Sequence, residues 1–244
     1  MDSIRGDLGI RRSYETCHSH DGGFAPSYAI YGSTASTTGS NEAMVQAQSW
    51  LHDCLCFHKG CKAGIVDPDW HPTRLIDLGP TLNSTPKIVD REEIIANSPY
   101  ATLSYCWGSS PPQTTSHSLQ KLRQSIPEDK LPKTFRDAFD VARSLQIRYI
   151  WIDSLCIVQD SLEDWRQESM TMGQVYQTAI CNFAAIASSD GNGGMFRHRY
   201  TASLRPPTVE LVWAGDHRLL KMCKPNIWID EIFASPLMSR AWVI

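Results

Sequence analysis

The sequence has no apolar run near the roughly 18 residues that a membrane-spanning helix needs, which excludes a span from its 244 residues. It has no cluster of Lys and Arg on one stretch. With 23 basic against 26 acidic residues and a net charge of -3, it lacks the basic face of a nucleic-acid binder. The opening twenty residues contain no apolar core of a secretory signal. The eight cysteines are therefore read as thiols of a reducing, cytoplasmic compartment rather than as a disulfide framework. There is no G-x-S-x-G elbow, and no His within the blocks around Cys106 or Cys156 to act as a base for them. The glycine-rich stretch Gly191-Asn192-Gly193-Gly194 lacks the Lys-Ser/Thr of a phosphate loop and reads as a turn.

What is present divides the chain. Residues 1–42 are small and polar, as in Gly32-Ser33-Thr34-Ala35-Ser36-Thr37-Thr38, and read as a weakly ordered tail. From Ala43, the spacing of Met44, Ala47, Trp50, Leu51, Cys54 and Leu55 predicts an amphipathic helix over about 42–57. Arg74-Leu75-Ile76-Asp77-Leu78 and Lys87-Ile88-Val89 are short strand candidates. Tyr100–Cys106, Tyr149–Ile152 and Ile180–Ala187 are continuous apolar runs too short for helices. Between them lie helical patterns, one opened by Thr134 with Asp137 as a variant capping box, the other opened by Ser161 with Asp164. Strand, helix, strand, helix, strand with apolar strands predicts a parallel sheet covered on both faces, a three-layer α/β core of flavodoxin-like form. Val209–Trp213 and Leu219–Met222 predict a hairpin, and Asn226–Phe233 a short helix.

The central blocks resemble a known family. Tyr100-Ala101-Thr102-Leu103-Ser104-Tyr105-Cys106-Trp107-Gly108, then Leu131-Pro132-Lys133-Thr134-Phe135-Arg136-Asp137-Ala138, then Tyr149-Ile150-Trp151-Ile152-Asp153-Ser154-Leu155-Cys156-Ile157-Val158-Gln159-Asp160 resemble, in order and separation, the fungal heterokaryon-incompatibility (HET) domain. Asp164-Trp165, Glu168, Met172 and Tyr176 follow as in that family. The resemblance implies a domain over residues 43–244 with its core at 98–190. Members continue beyond the Arg-x-Trp element, whereas Arg240-Ala241-Trp242-Val243-Ile244 ends this sequence, so the domain is read as truncated within that motif. The resemblance implies a module of non-self recognition and programmed cell death that self-associates or assembles with other death-signalling proteins. HET domains are similar in outline to TIR domains, some of which cleave NAD with a Glu. That similarity implies NAD as a possible substrate and no other cofactor.

Two carboxylates are the catalytic candidates. Glu168 falls on the helical stripe of Trp165, Met172 and Tyr176, where burial should raise its pKa. Such an acid suits proton transfer or stabilisation of an oxocarbenium-like centre; paired with an Arg, it is instead structural. Asp153 ends a buried strand at the edge where parallel sheets bind ligands; it serves equally as an acceptor of backbone N–H groups. Ser104, Trp107, Gly108 and Ser154 belong to the same edge and are, with Asp153, the ligand-binding candidates, and Tyr105 is read as lining the same cleft. Cys54, His58 and Cys61, with His52 and Cys56 nearby, supply at most a partial zinc set, and no metal is expected. The loops 109–130 and 188–206 are where recognition is expected.

Overall fold

A computed structural model describes residues 35–58, 60, 70–109, 111–200, 208–213, 216–221 and 232–239. Helix α1 (Asn41–Phe57) precedes strands β1 (Arg74–Asp77), β2 (Lys87–Asp90) and β3 (Tyr100–Ser104). Helices α2 (Leu119–Gln124) and α3 (Lys133–Ser144), strand β4 (Tyr149–Trp151), helices α4 (Asp153–Cys156) and α5 (Leu162–Thr178), and strand β5 (Cys181–Ala184) follow. β6 (Thr208–Trp213) and β7 (Asp216–Lys221) form an antiparallel hairpin of their own. No described helix is long and apolar enough to cross a membrane.

The main sheet runs β2-β1-β4-β3-β5. β4, β3 and β5 are parallel, as the alternating pattern predicts. The sheet as a whole is mixed, because β1 pairs antiparallel with both β4 and β2. The chain crosses over through a helix only between β3 and β4 and between β4 and β5. The short link between β1 and β2 leaves room only for a hairpin.

Period-two alternation decides what each helix covers. Tyr100 pairs with Tyr149 and Thr102 with Trp151, so these four share a face. The Tyr100 hydroxyl donates to the Val175 carbonyl at 2.6 Å, and the Trp151 and Tyr176 rings meet edge to face at 5.8 Å, which puts α5 on that face. Ala101, Leu103 and Ile150 turn the other way, towards α3. Phe135 and Phe139 of α3 are fully buried, and Phe135 meets Tyr105 edge to face at 4.9 Å. Both faces of β3 and β4 are thus covered, which is why they read as unbroken apolar runs, whereas Asn182 and Ala184 of β5 are exposed.

Local signals fare unevenly. The Ser161 hydroxyl caps α5 by accepting from the Asp164 N–H, as the sequence suggests. The Thr134–Asp137 capping box does not form. α3 starts one residue earlier, behind Pro132, and Thr134 and Asp137 instead accept from the N–H groups of Gly194 and Met195. Part of the tail is engaged: Thr37 bridges His198, and Ser40 caps α1. The loop 109–130 carries helix α2, which packs against β2. The helix expected at 226–233 lies almost wholly outside the described residues.

Candidate functional site

The carboxyl ends of β3, β4 and β5 meet where residues 104–108, 152–154 and 185–190 leave the sheet. Asp153 is half-buried there and takes both roles foreseen for a strand-end acid. Its Oδ1 accepts the Ser154 N–H at 2.7 Å, and its Oδ2 accepts the Trp107 indole N–H at 2.8 Å. Ser154 is buried, and its hydroxyl accepts from the Tyr105 hydroxyl at 2.9 Å. The chain Tyr105, Ser154, Asp153, Trp107 therefore fixes the indole by charge-assisted and neutral hydrogen bonds. Gly108 follows with φ of +70°, and a Cβ there would lie 2.7 Å from Cβ of Asp190. Only glycine lets the two strand-end loops come this close. On the α5 face, Ser104 and Thr102 both donate to the Asn182 side-chain oxygen, at 3.1 and 3.0 Å.

Thr114 secures this platform from the side. It accepts from Gln159 N–H, donates its own N–H to the Ser154 carbonyl and gives its hydroxyl to the Leu155 carbonyl at 2.6 Å. Thr114 and Asn182 were not among the candidates. Tyr105 was legible as the next apolar residue of its strand; a loop threonine carries no such signal.

Glu168 is placed beneath the platform. It is 1% exposed, and its Oε1 lies 3.6 Å from Nη2 of Arg74 without a hydrogen-bond partner. Burial raises its pKa; a hydrogen bond from Thr73 and the Arg74 charge pull the other way, while Asp164 adds to the rise. Arg74 is the centre of the cluster. Its Nε donates to the Cys156 carbonyl at 2.7 Å, and its Nη2 meets Asp164 Oδ1 and Oδ2 at 2.6 and 2.5 Å. Asp164 also accepts the Val158 N–H at 2.8 Å. Sequence reasoning passed over Arg74, although a guanidinium opening an otherwise apolar strand is a signal that an acid waits for it.

The sequence-derived candidates thus fall into two groups. Asp153, Ser154, Trp107 and Gly108 come together at the strand ends, and Ser104 lies on the same edge towards β5. Glu168 is apart from them, closed under β1 and paired with an Arg. Its neighbour Trp165, expected on the buried stripe, is 51% exposed, because Asp164, Glu168 and Val175 set the inward face of α5. The Cys156 thiol lies between the two groups, and burial pushes its pKa up to about 12, which makes it a poor nucleophile.

The cations described at this end are committed. Arg197 donates to the carbonyls of Gly193, Gly194 and Phe196 and to the Ser188 hydroxyl. Lys133 pairs with Asp137 at 2.6 Å. No group of three or more His, Cys, Asp or Glu among the described residues is arranged to hold a metal ion. Cys54 is half-buried, His58 is exposed, and Cys61 lies outside the described residues. Cys54, Cys106, Cys156 and Cys181 are free thiols, whereas Cys56 is disulfide-bonded, a departure from the all-thiol expectation.

The heterokaryon incompatibility protein (HET) family matches residues 100–244, the stretch that contains every strand-end residue above. The chain belongs to the HET family. Its role is accordingly in fungal heterokaryon incompatibility. No curated protein and no solved structure matches the chain.

Proposed function

We propose that this HET domain works as an assembly module, self-associating or docking with other death-signalling proteins, rather than as an enzyme. The closure of Glu168 carries this reading. A carboxylate 1% exposed and set against a guanidinium presents nothing to a substrate. Arg74, Arg197 and Lys133 are held by protein groups. Several large apolar side chains face outward: Leu162, Trp165 and Met170 on α5, and Val45, Trp50 and Phe57 on α1. Exposed apolar groups of this size mark contact surfaces. Cytoplasmic residence belongs to the same reading and is supported by the four free thiols; the Cys56 disulfide weighs against it. Sedimentation velocity of the purified chain over a concentration series tests self-association. A sedimentation coefficient that climbs with concentration supports it, and one that stays at the monomer value throughout removes it.

One observation favours a second reading, an NAD glycohydrolase. Glu168 is a desolvated acid with raised pKa and an unpartnered oxygen, which is how general acids are tuned. It would have to be uncovered first. Incubation with NAD and chromatography of the products decides: equal inertness of wild type and Glu168→Gln, even when oligomerisation is forced, eliminates it.

A further inference from the structure

The two edges of the main sheet are finished differently. On the β2 edge, Lys87 and Asp90 carry charge, Asp90 is held by Arg123 at 2.7 Å, and α2 packs alongside. Charge and cover are how sheet edges are kept from pairing. The β5 edge carries no charge: Cys181-Asn182-Phe183-Ala184 contains no charged residue and no proline. Ala185 donates its N–H to the Ser104 carbonyl at 2.9 Å, so by alternation the peptide groups of Cys181 and Phe183 face β3 and that of Asn182 points to the opposite, outer side. The Asn182 peptide group has no backbone partner among the described residues. Asn182 and Ala184 are exposed on the α5 face.

Helix α1 adds apolar surface next to this edge. Cys54 of α1 lies near enough to Cys181 for the two thiols to influence each other electrostatically. Trp50 and Phe57, one turn to either side of Cys54, are 64% and 58% exposed. An outward-facing edge peptide group therefore lies on the same side as two exposed aromatic rings.

We infer that β5 is a homotypic docking edge, where a second copy of this chain adds its own β5 antiparallel about a two-fold axis through Asn182. The inference rests on the self-association reading and names its surface. In that register Cys181 stands opposite Phe183 of the second copy, and Asn182 opposite Asn182. The Asn182 pair exchanges both its N–H···O=C bonds, so the outward peptide group at the centre of the strand is used on both copies. The facing side chains are neutral amides, so no like charges meet. A two-fold contact uses the same patch on both copies, and here the patch is self-complementary.

The test is sedimentation equilibrium of the full chain as wild type, Asn182→Lys, Asn182→Asp and an equimolar mixture of the two variants. Like charges directly opposite across a strand pair are unfavourable. Each variant alone is expected to dimerise about tenfold or more weakly than wild type, and the mixture to recover pairing as a heterodimer. Because Asn182 accepts from Thr102 and Ser104, Ala184→Lys serves as a second variant that touches no hydrogen bond, with the same weakening expected. A wild-type dimer indifferent to all three substitutions overturns the inference while leaving self-association through another face intact. A wild type that is monomeric at every concentration overturns both, and leaves the edge to a strand from another protein.

Discussion

Arg74 and Asp164 meet at 2.5 Å, with Glu168 on the same guanidinium at 3.6 Å. One buried cation thus answers two acids contributed by a single helix. Removing one partner of a buried pair leaves charge without compensation. Arg74→Leu is expected to destabilise the fold by about 3–5 kcal/mol, read from urea unfolding. A loss below about 1 kcal/mol would mean the pair behaves as a solvent-screened surface bridge.

Glu168 makes stability depend on pH with a definite sign. Burial holds its folded-state pKa above the ordinary value of 4.5. Below that value the carboxyl is neutral folded and unfolded alike. As pH rises through the raised folded pKa, the folded protein must ionise a buried acid, and stability is lost. Glu168→Gln abolishes the titration. Its unfolding free energy is expected to gain on wild type as pH increases above about 4.5. A difference that is flat from pH 4 to 8 contradicts the assignment.

Trp107 and Asp153 form the only link described between the β3 and β4 ends that is made by two half-buried side chains. Asp153→Ala removes the acceptor of both the indole and the Ser154 N–H, at an expected cost of about 1–3 kcal/mol. Trp107→Phe is expected to cost less, since Asp153 keeps the Ser154 bond. Thermal unfolding gives the order, and equal losses would show that the indole contact dominates.

Gly108 is a close-packed point of the strand-end loops. Gly108→Ala places a methyl group 2.7 Å from Asp190 Cβ on a backbone at φ +70°. A loss of more than about 1 kcal/mol is expected, while Gly173→Ala, which meets nothing within 4 Å on α5, is expected to be neutral or stabilising. Similar melting temperatures for the two variants would refute the close approach.

The parts of this fold that were legible in the sequence are those where one element dictates its own pattern. Tyr100–Ser104 and Tyr149–Trp151 sit between two covering helices, so burial on both faces writes an apolar run. Ser161 caps α5 because its donor is three residues away. The direction of β1 is not local information. Arg74–Asp77 reads as a strand, but its antiparallel place beside β4 depends on how the chain returns from β2. The same distance effect hid Arg74 as the partner of Asp164, ninety residues on. At the site, Asp153 and Trp107 were legible because strand ends bind. That Glu168 lies under β1, apart from that pair, was not: a helical stripe says which side faces inward, not which neighbour lies there.

The position of β1 also bears on how the protein is divided. The family match begins at Tyr100, yet the strand beside β4 and the guanidinium between Asp164 and Glu168 come from residues 74–77. Cutting the chain at the start of the match would strip β4 of a neighbour and leave two buried acids without a counter-ion. Where homology starts and where an independently stable piece starts are, in this chain, at least 26 residues apart, counting from Arg74 to Tyr100.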